Sequence, residues 1–314
     1  MWLLVAKRLG AGLPALLVTS LLIFMMLRLV PGDPATLLVG DLASPAEIER
    51  VRVEMGLDKP LFVQYGIWLG HVLRGDLGVS FMTGEPVFSA LLERFGVTAQ
   101  IVLLAFVIAA TLAVPIGVVA ARLTGRAFDA GVMLLAGMLI SVPSFWTSLL
   151  LILIFGVKLG WLPSLGFVPL TEGAGEWLQH AVLPIGALAL VELAVLTRLV
   201  RASAIEVLSQ DYVTYARAKG LPEWLILVRH TLRNALAPAV TMMGLILASL
   251  LSGAVGVETV FGIPGLGRFL VDAIYARDYP VIQGTLLFIV VLYTLINLLV
   301  DLSYPLLDPR VRRE

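Results

Sequence analysis

Six long apolar runs, at roughly 9–30, 97–121, 130–157, 181–196, 235–257 and 281–304, leave this chain few ways to fold. A run of about 20 apolar residues matches the hydrocarbon thickness of a bilayer. No water reaches a backbone N–H or C=O there, so each run must close its hydrogen bonds locally as a helix. With 59% hydrophobic and 14% charged residues over 314 positions, the chain is far more apolar than a soluble domain. The expected fold is an all-α membrane protein with six transmembrane helices. The fourth run is the shortest and ends against Arg198 and Arg201. Lys7 and Arg8 precede a first run too long for a signal core, with no small-x-small site after it, so it reads as a retained span.

Basic residues set the expected orientation, because short connections rich in Lys and Arg stay on the cytoplasmic side. Starting inside, that side receives Lys7, Arg8, Arg122, Arg126, Arg198, Arg201, Arg217, Lys219, Arg229, Arg233, Arg310, Arg312 and Arg313. The short outer connections carry only Lys158, Arg268 and Arg277. Both termini are therefore expected in the cytoplasm. The chain divides into a cytoplasmic start with the first span (1–30), an extracytoplasmic cap (31–95), a five-helix core (96–307) with a cytoplasmic loop (198–235), and a tail (308–314). In the cap, Ser44-Pro45-Ala46-Glu47 reads as a capping box with Gly56 as the stop, and Ile48, Val51 and Met55 form one apolar stripe. A second helix is expected from Pro60 to near Gly75, followed by a turn at Gly75-Asp76-Leu77-Gly78. Such a cap suits a lid over a pore mouth and a docking surface for a substrate carrier equally well.

Between the fourth and fifth runs lies a basic stretch, DYVTYARAKGLPEWLILVRHTLRNALAP at 211–238. Tyr212 to Lys219 is a good helical run, and Gly220 is suited to end it in a left-handed conformation. Pro222 and Glu223 suit the first turn of a new helix. Ala216 and Gly220, four apart, predict a smooth face for close packing. Trp224 and Leu225 are large apolar residues where water is expected, a combination that fits a short helix docked in a partner's groove.

Two ladders of small residues, Ala109, Ala113, Gly117, Ala121 and Gly244, Ala248, Ser252, Gly256, predict close helix packing. Pro115 and Pro143 predict kinks in the second and third spans. Glu192 lies within the fourth run, where an unpaired carboxylate is costly; it is a candidate for the transport pathway or for a pair with Arg198. Asn297 and Asp301 suit hydrogen bonds to a neighbouring helix. Enzyme chemistry finds no footing. The sequence has no G-x-x-x-x-G-K-[ST] phosphate loop and no H-E-x-x-H, and its three histidines, His71, His180 and His230, are scattered. No base is evident beside Ser141 or Ser252. Zero net charge gives no general attraction to nucleic acid, and zero cysteines remove disulfides and thiolate sites.

Ten segments carry a family resemblance: PGDP (31–34), GLDKPLFVQYGIWL (56–69), GDLGVS (75–80), SVPSFW (141–146), GWLP (160–163), DYVTYARAKGL (211–221), RHTLRNALAP (229–238), VETVFGIPGLGR (257–268), RDYPVIQG (277–284) and VDLSYPLLDPR (300–310). Over nearly its whole length the chain resembles permeases of the dipeptide/oligopeptide/nickel group of bacterial ABC importers. The resemblance implies a type I importer fold in the cell inner membrane and a heterodimer with a second, homologous permease. It further implies two ATPase subunits that bind ATP and Mg, and an extracytoplasmic solute-binding protein. This chain would itself be a transport subunit without catalytic, cofactor or metal residues. The implied cargo is a di- or oligopeptide or similar small solute; nickel or a nickel chelate is the alternative within the group, and a proton-linked secondary transporter using Glu192, or a scaffolding protein, the alternative outside it.

In that family the cytoplasmic loop couples to the ATPase, which carries over here to Tyr215, Ala216, Arg217, Lys219, Gly220, Leu221, Pro222, Glu223, Trp224 and Leu225. The broader importer motif, Glu-Ala-Ala, three residues, Gly, falls on Thr214, Tyr215, Ala216 and Gly220, so only its second alanine and its glycine survive. Glu192, Pro143, Trp146 and Glu258 are the candidates for the translocation pathway, with 262–267 resembling an outer re-entrant corner.

Overall fold

The computed structural model describes residues 2–29, 34–39, 44–54 and 56–307. Residues 31–33, Met55, the tail at 308–314 and the side chains of Lys7, Arg8, Arg229, His230, Arg233 and Asp301 lie outside the described residues. The helices in order are α1 (Trp2–Leu29), α2 (Pro34–Val39), α3 (Pro45–Glu54), α4 (Leu61–Val72), α5 (Val87–Arg122), α6 (Ala127–Ser141) and α7 (Ser144–Leu151), which widens into a π-helix (Ile152–Lys158). Then come α8 (Ala174–Leu208), α9 (Asp211–Ala218) and α10 (Glu223–Leu225), the last passing through a second π-helix (Ile226–Leu232) into α11 (Arg233–Phe261), followed by α12 (Leu266–Ala276) and α13 (Tyr279–Leu307). The described residues contain no β-strand, only an isolated antiparallel bridge between Val79 and Pro86.

Among the described residues, four helices are long and apolar enough to cross a bilayer: Val87–Arg122, Ala174–Leu208, Gly244–Phe261 and Tyr279–Val300. The α6 and α7 pair qualifies only as one unit bent by 103°, and the apolar part of α1 is Gly12–Met26. These six features fall on the six apolar runs. Two expectations change in detail. The third run is not one kinked helix: Val142 and Pro143 are extended, at ψ 123° and 145°, so α6 stops and α7 starts afresh. A proline ring disfavours helical geometry at the residue before it and has no N–H to continue the ladder. Pro115, by contrast, lies within the continuous 36-residue α5. The fourth run, shortest by sequence, becomes the 35-residue α8. Its polar interruptions made it look short, yet Glu192 and Thr197 are buried within it.

By its contacts the chain forms two compact units, 1–96 with 269–295 and 97–268 with 296–314. In the first, Phe24 is buried at 1% exposure, 5.5 Å edge-on to Tyr65 and 5.7 Å from Trp68 between ring centroids. The Ser20 and Tyr65 hydroxyls meet at 2.8 Å. The capping box forms as expected: Ser44 N and Oγ each donate to Glu47 Oε2 at 2.8 Å, and Glu47 N returns to Ser44 Oγ at 3.3 Å. Gly78 N donates to Asp76 Oδ1 at 2.9 Å, and His71 Nδ1 pairs with Asp76 Oδ2 at 2.9 Å, closing the 75–78 turn. Asp278, 2% exposed, accepts from Ser80 Oγ at 2.5 Å, Phe81 N at 3.2 Å and Met82 N at 3.4 Å. That carboxylate ties the loop before α5 to the start of α13.

The second unit is built around α8, which packs most extensively on α11 and also on α6 and α7. Its core includes Ile101, Ala105, Ala109, Leu188, Leu250, Val257 and Phe261. The α5 ladder is the buried face: Ala109 and Ala113 are fully buried, and a Cβ on Gly117 would lie 2.9 Å from Thr197 O and from Val200. On α11, Gly244 faces Val300 and Gly256 faces Phe145, but Ser252 turns outward, so that ladder serves more than one neighbour.

Two outcomes are expected. Gly117→Val should cost about 1–3 kcal/mol through overpacking, whereas Gly131→Val, where a Cβ meets nothing within 4 Å, should not; thermal unfolding in detergent compares them, and equal melting points would contradict the packing. The Gly78 N–H chiefly, with help from His71 and against a raising effect of burial, holds the Asp76 carboxyl below its ordinary 3.8. A depressed carboxyl stabilises fully above its unfolded value and less as pH falls through the folded one. Protection of the Gly78 amide, its exchange measured relative to the intrinsic rate at each pH, should therefore fall as pH drops below 3.8 and hold level above it.

Candidate functional site

The connection from α8 to α11 folds as a compact finger with its own small core. Val213 and Ile226 are fully buried and Ala216 nearly so, with Leu208 and Leu221 packed against them. Gly220 has φ +76°, the left-handed geometry expected at the end of α9. Leu221 N donates back to Ala216 O at 3.3 Å, and Pro222 sits extended ahead of α10. Arg217 Nε donates to Glu223 Oε1 at 2.8 Å across the turn. The expected smooth face of Ala216 and Gly220 is corrected: Ala216 points into the finger's core, while Gly220 is exposed with nothing within 4 Å of a Cβ. What faces outward is aromatic. Tyr215 is 70% and Trp224 63% exposed, with Tyr212 and Val228 also exposed.

The finger joins α11 through a π-helix, in which Ile226 is buried and Thr231 Oγ1 donates to Ile226 O at 3.3 Å. Hydrogen-bond geometry is poorer in such a wide turn, and π-segments recur where helices must adjust.

A second constellation gathers at the end of α11. Glu258, 1% exposed, accepts from Thr98 Oγ1 at 2.6 Å through Oε1, and from Gly267 N at 2.7 Å and Arg268 N at 3.1 Å through Oε2. Thr98 Oγ1 in turn accepts from Leu266 N at 2.8 Å. Gly262, at φ +72°, closes α11, and Ile263 N returns to Glu258 O at 2.9 Å. A Cβ on Gly265 would run into the Glu258 carboxylate, and one on Gly267 into the Val255 backbone. One carboxylate thus caps α12 and ties it to α5 and α11. Glu258 is turned away from solvent here and acts as a corner pin.

Glu192 is 5% exposed, near Ser249 of α11, and forms no ion pair with Arg198 among the described residues. Pro143 lies at the break between α6 and α7, and Trp146, 51% exposed, lies one turn into α7. Glu192, Glu258 and the Pro143–Trp146 corner stand at separate points of the second unit and share no cavity with the finger among the described residues. Sequence reasoning missed the ion pair of Asp129 on α6 with Arg201 on α8. Two of the three guanidinium nitrogens engage it, Nη2 to Oδ2 at 2.7 Å and Nε to Oδ1, while Gly125 N adds a bond at 3.0 Å. An acid opening an apolar run was the available signal. Its partner, 72 residues on, was not.

The described residues thus form an apolar helical bundle with one sharply bent helix pair and a finger that turns aromatic side chains outward. Comparison with known proteins identifies the family. Residues 113–313 match the binding-protein-dependent transport system inner membrane component family, and residues 1–102 match the N-terminal family of such membrane components. The chain is 47% identical over 309 residues to a provisionally named peptide transport system permease of Brucella abortus (strain 2308), covering 98% of each. It is 42% identical over 308 residues to the glutathione transport system permease GsiC of Escherichia coli O6:H1, again covering 98% of each. This chain belongs to the binding-protein-dependent inner-membrane permease family of ABC importers.

The corner pin makes a clear prediction. Glu258→Gln offers an NH2 group where backbone donors converge, which should cost about 1–3 kcal/mol for the unsatisfied pair. Thr98→Val should be destabilising in the same way, and the double variant less than additive. Thermal unfolding of the three variants reads this, and full additivity would dissociate the two residues.

Proposed function

We propose that this chain is one permease half of an ATP-driven importer of short peptides, with its finger seated in a groove of a separate ATPase subunit. The observation that carries the reading is the finger itself. Tyr215 and Trp224 are held out at 70% and 63% exposure by a turn with its own buried core. A rigid aromatic knob in water is costly unless a partner covers it. The distribution of basic residues supports a cytoplasmic position for the finger and both termini. The names of the relatives, a peptide and a glutathione permease, support a peptide-class cargo. In the sequence there is no phosphate loop, so the motor belongs on other chains, with a second permease completing the gate and a solute-binding protein delivering cargo outside.

The mechanism is alternating access. Closure of the ATPases on ATP moves the two fingers together and turns the cavity outward; hydrolysis restores the inward-facing state. The finger contact works by favouring one of two arrangements of the bundle. The π-helix between finger and α11 supports this reading, since such segments recur at functional sites.

Trp224→Ala should lower ATP-driven peptide uptake by the reconstituted complex about tenfold, the loss of a buried aromatic anchor, while ATP hydrolysis continues. Gly220→Val, forced into a left-handed conformation, should act likewise without loss of membrane insertion. Unchanged uptake in both variants would overturn the lever, and uptake that ignores ATP but follows the proton gradient would replace it with a secondary transporter.

A further inference from the structure

Helix α4, LFVQYGIWLGHV, contains no Asp, Glu, Lys or Arg. Its polar side chains are engaged within the chain. Gln64 Nε2 donates to Leu57 O at 3.1 Å and Lys59 O at 2.7 Å, the Tyr65 hydroxyl meets Ser20, and His71 pairs with Asp76. What remains to face outward is apolar. Phe62 is 74% exposed and Leu73, which caps the helix, 79%, with Leu61 and Ile67 also in the open. Phe62, Gly66, Leu69 and Leu73 recur at helical spacing, so the bare side is one continuous stripe. A helix apolar all round is stable where its surroundings cover it, yet none of the residues of α4 is buried by the protein.

Three observations identify the cover. The first is where α4 is held. Tyr65 Oη reaches Ser20 Oγ at 2.8 Å and donates to Leu17 O at 3.4 Å, and the Trp68 ring lies 5.7 Å from that of Phe24. All three α1 residues belong to its apolar stretch, Gly12–Met26. The second is continuity: Leu17, Leu22 and Met26 of that stretch are exposed, so bare apolar surface on α1 lies beside bare apolar surface on α4. The third is the pattern of the ends. Lys59 and Arg74 stand exposed just outside the helix, where long basic side chains reach lipid phosphates, and Tyr and Trp are the residues that favour a membrane surface. By contrast α3 carries Glu47, Glu49, Arg50, Arg52 and Glu54 and suits water.

We infer that α4 lies in the membrane–water interface beside α1, with Phe62 and Leu73 among phospholipid acyl chains and Lys59 and Arg74 at the headgroups. Twelve residues of helix are about 18 Å long, well short of the roughly 30 Å needed to cross. Interfacial helices sink about 5–10 Å instead. A protein partner is a poorer complement, because such interfaces surround an apolar centre with a hydrogen-bonding rim, and the bare side of α4 has none. The segment expected as an extracytoplasmic cap thus has a lipid-embedded base, with α3 held in water.

The chain has no cysteine, so one introduced cysteine carries a unique label. Phe62→Cys and Leu73→Cys, with Leu17→Cys on α1 and Glu49→Cys on α3 as references, are spin-labelled in the full chain. Each is reconstituted without other subunits in phosphatidylcholine–phosphatidylglycerol vesicles. Collisions with oxygen, which concentrates in lipid, are compared with collisions with a nickel chelate, which stays in water. Oxygen should dominate at both α4 labels, as on α1, and the chelate should dominate on α3. Chelate-dominated collisions at either α4 site overturn the inference. A protein partner on this side predicts that same result for the chain alone, with shielding only after a solute-binding protein is added. Wild-type protein keeps the test decisive should a variant fail to fold: a phospholipid with a diazirine in its acyl chain should mark α4 and spare α3. An unmarked α4 overturns the inference as well.

Discussion

Wherever a helix of this chain ends in a buried setting, its first amides lose their intrahelical partners, and a side chain from elsewhere must receive them. At the start of α12 the Glu258 carboxylate takes Gly267 and Arg268, and Thr98 takes Leu266. In the first unit Asp278 receives the amides of Phe81 and Met82, which lie in a turn ahead of α5. Buried carboxylates are costly unless their hydrogen-bonding capacity is met, so each such corner holds together only as a complete set. The glycines at 265 and 267 follow from this, because any side chain there would occupy the space of the carboxylate or of α11.

The same economy governs the long helices. Lipid removes most of the hydrophobic drive between helices, leaving close packing and internal polar pairs. The α5 ladder lets the α8 backbone approach at Gly117. Asp129 with Arg201 places an ion pair where α8 meets α6. The finger lies outside this scheme. It spends its apolar residues both ways, Val213 and Ile226 inward and Tyr215 and Trp224 outward. That division lets a short segment stay rigid while presenting a surface for another chain.

Much of the local structure was legible in residue order. The capping box at Ser44 and Glu47 and the left-handed Gly220 are short-range consequences of side-chain chemistry, and both formed, whereas Pro222, expected in the first turn of α10, is extended ahead of it. Local reasoning failed where distant groups decided the outcome. Ala216 and Gly220 share helical spacing but not a surface, because Ile226 and Leu221 fold back over Ala216 alone. Glu192 was weighed against Arg198, six residues away, yet it lies buried near Ser249 of α11 and makes no ion pair with that arginine. Asp129 had no visible partner until α6 and α8 were side by side.

Six apolar runs in water-free surroundings could only become helices, and proline at 143 beside an extended Val142 could only interrupt one. Backbone chemistry and hydropathy, both local quantities, were enough for that. Which helix became central, which carboxylates became pins, and which side of α4 stayed bare were decided by packing. Those outcomes depend on contacts between residues tens to hundreds of positions apart, such as Thr98 and Glu258, and no local pattern encodes them.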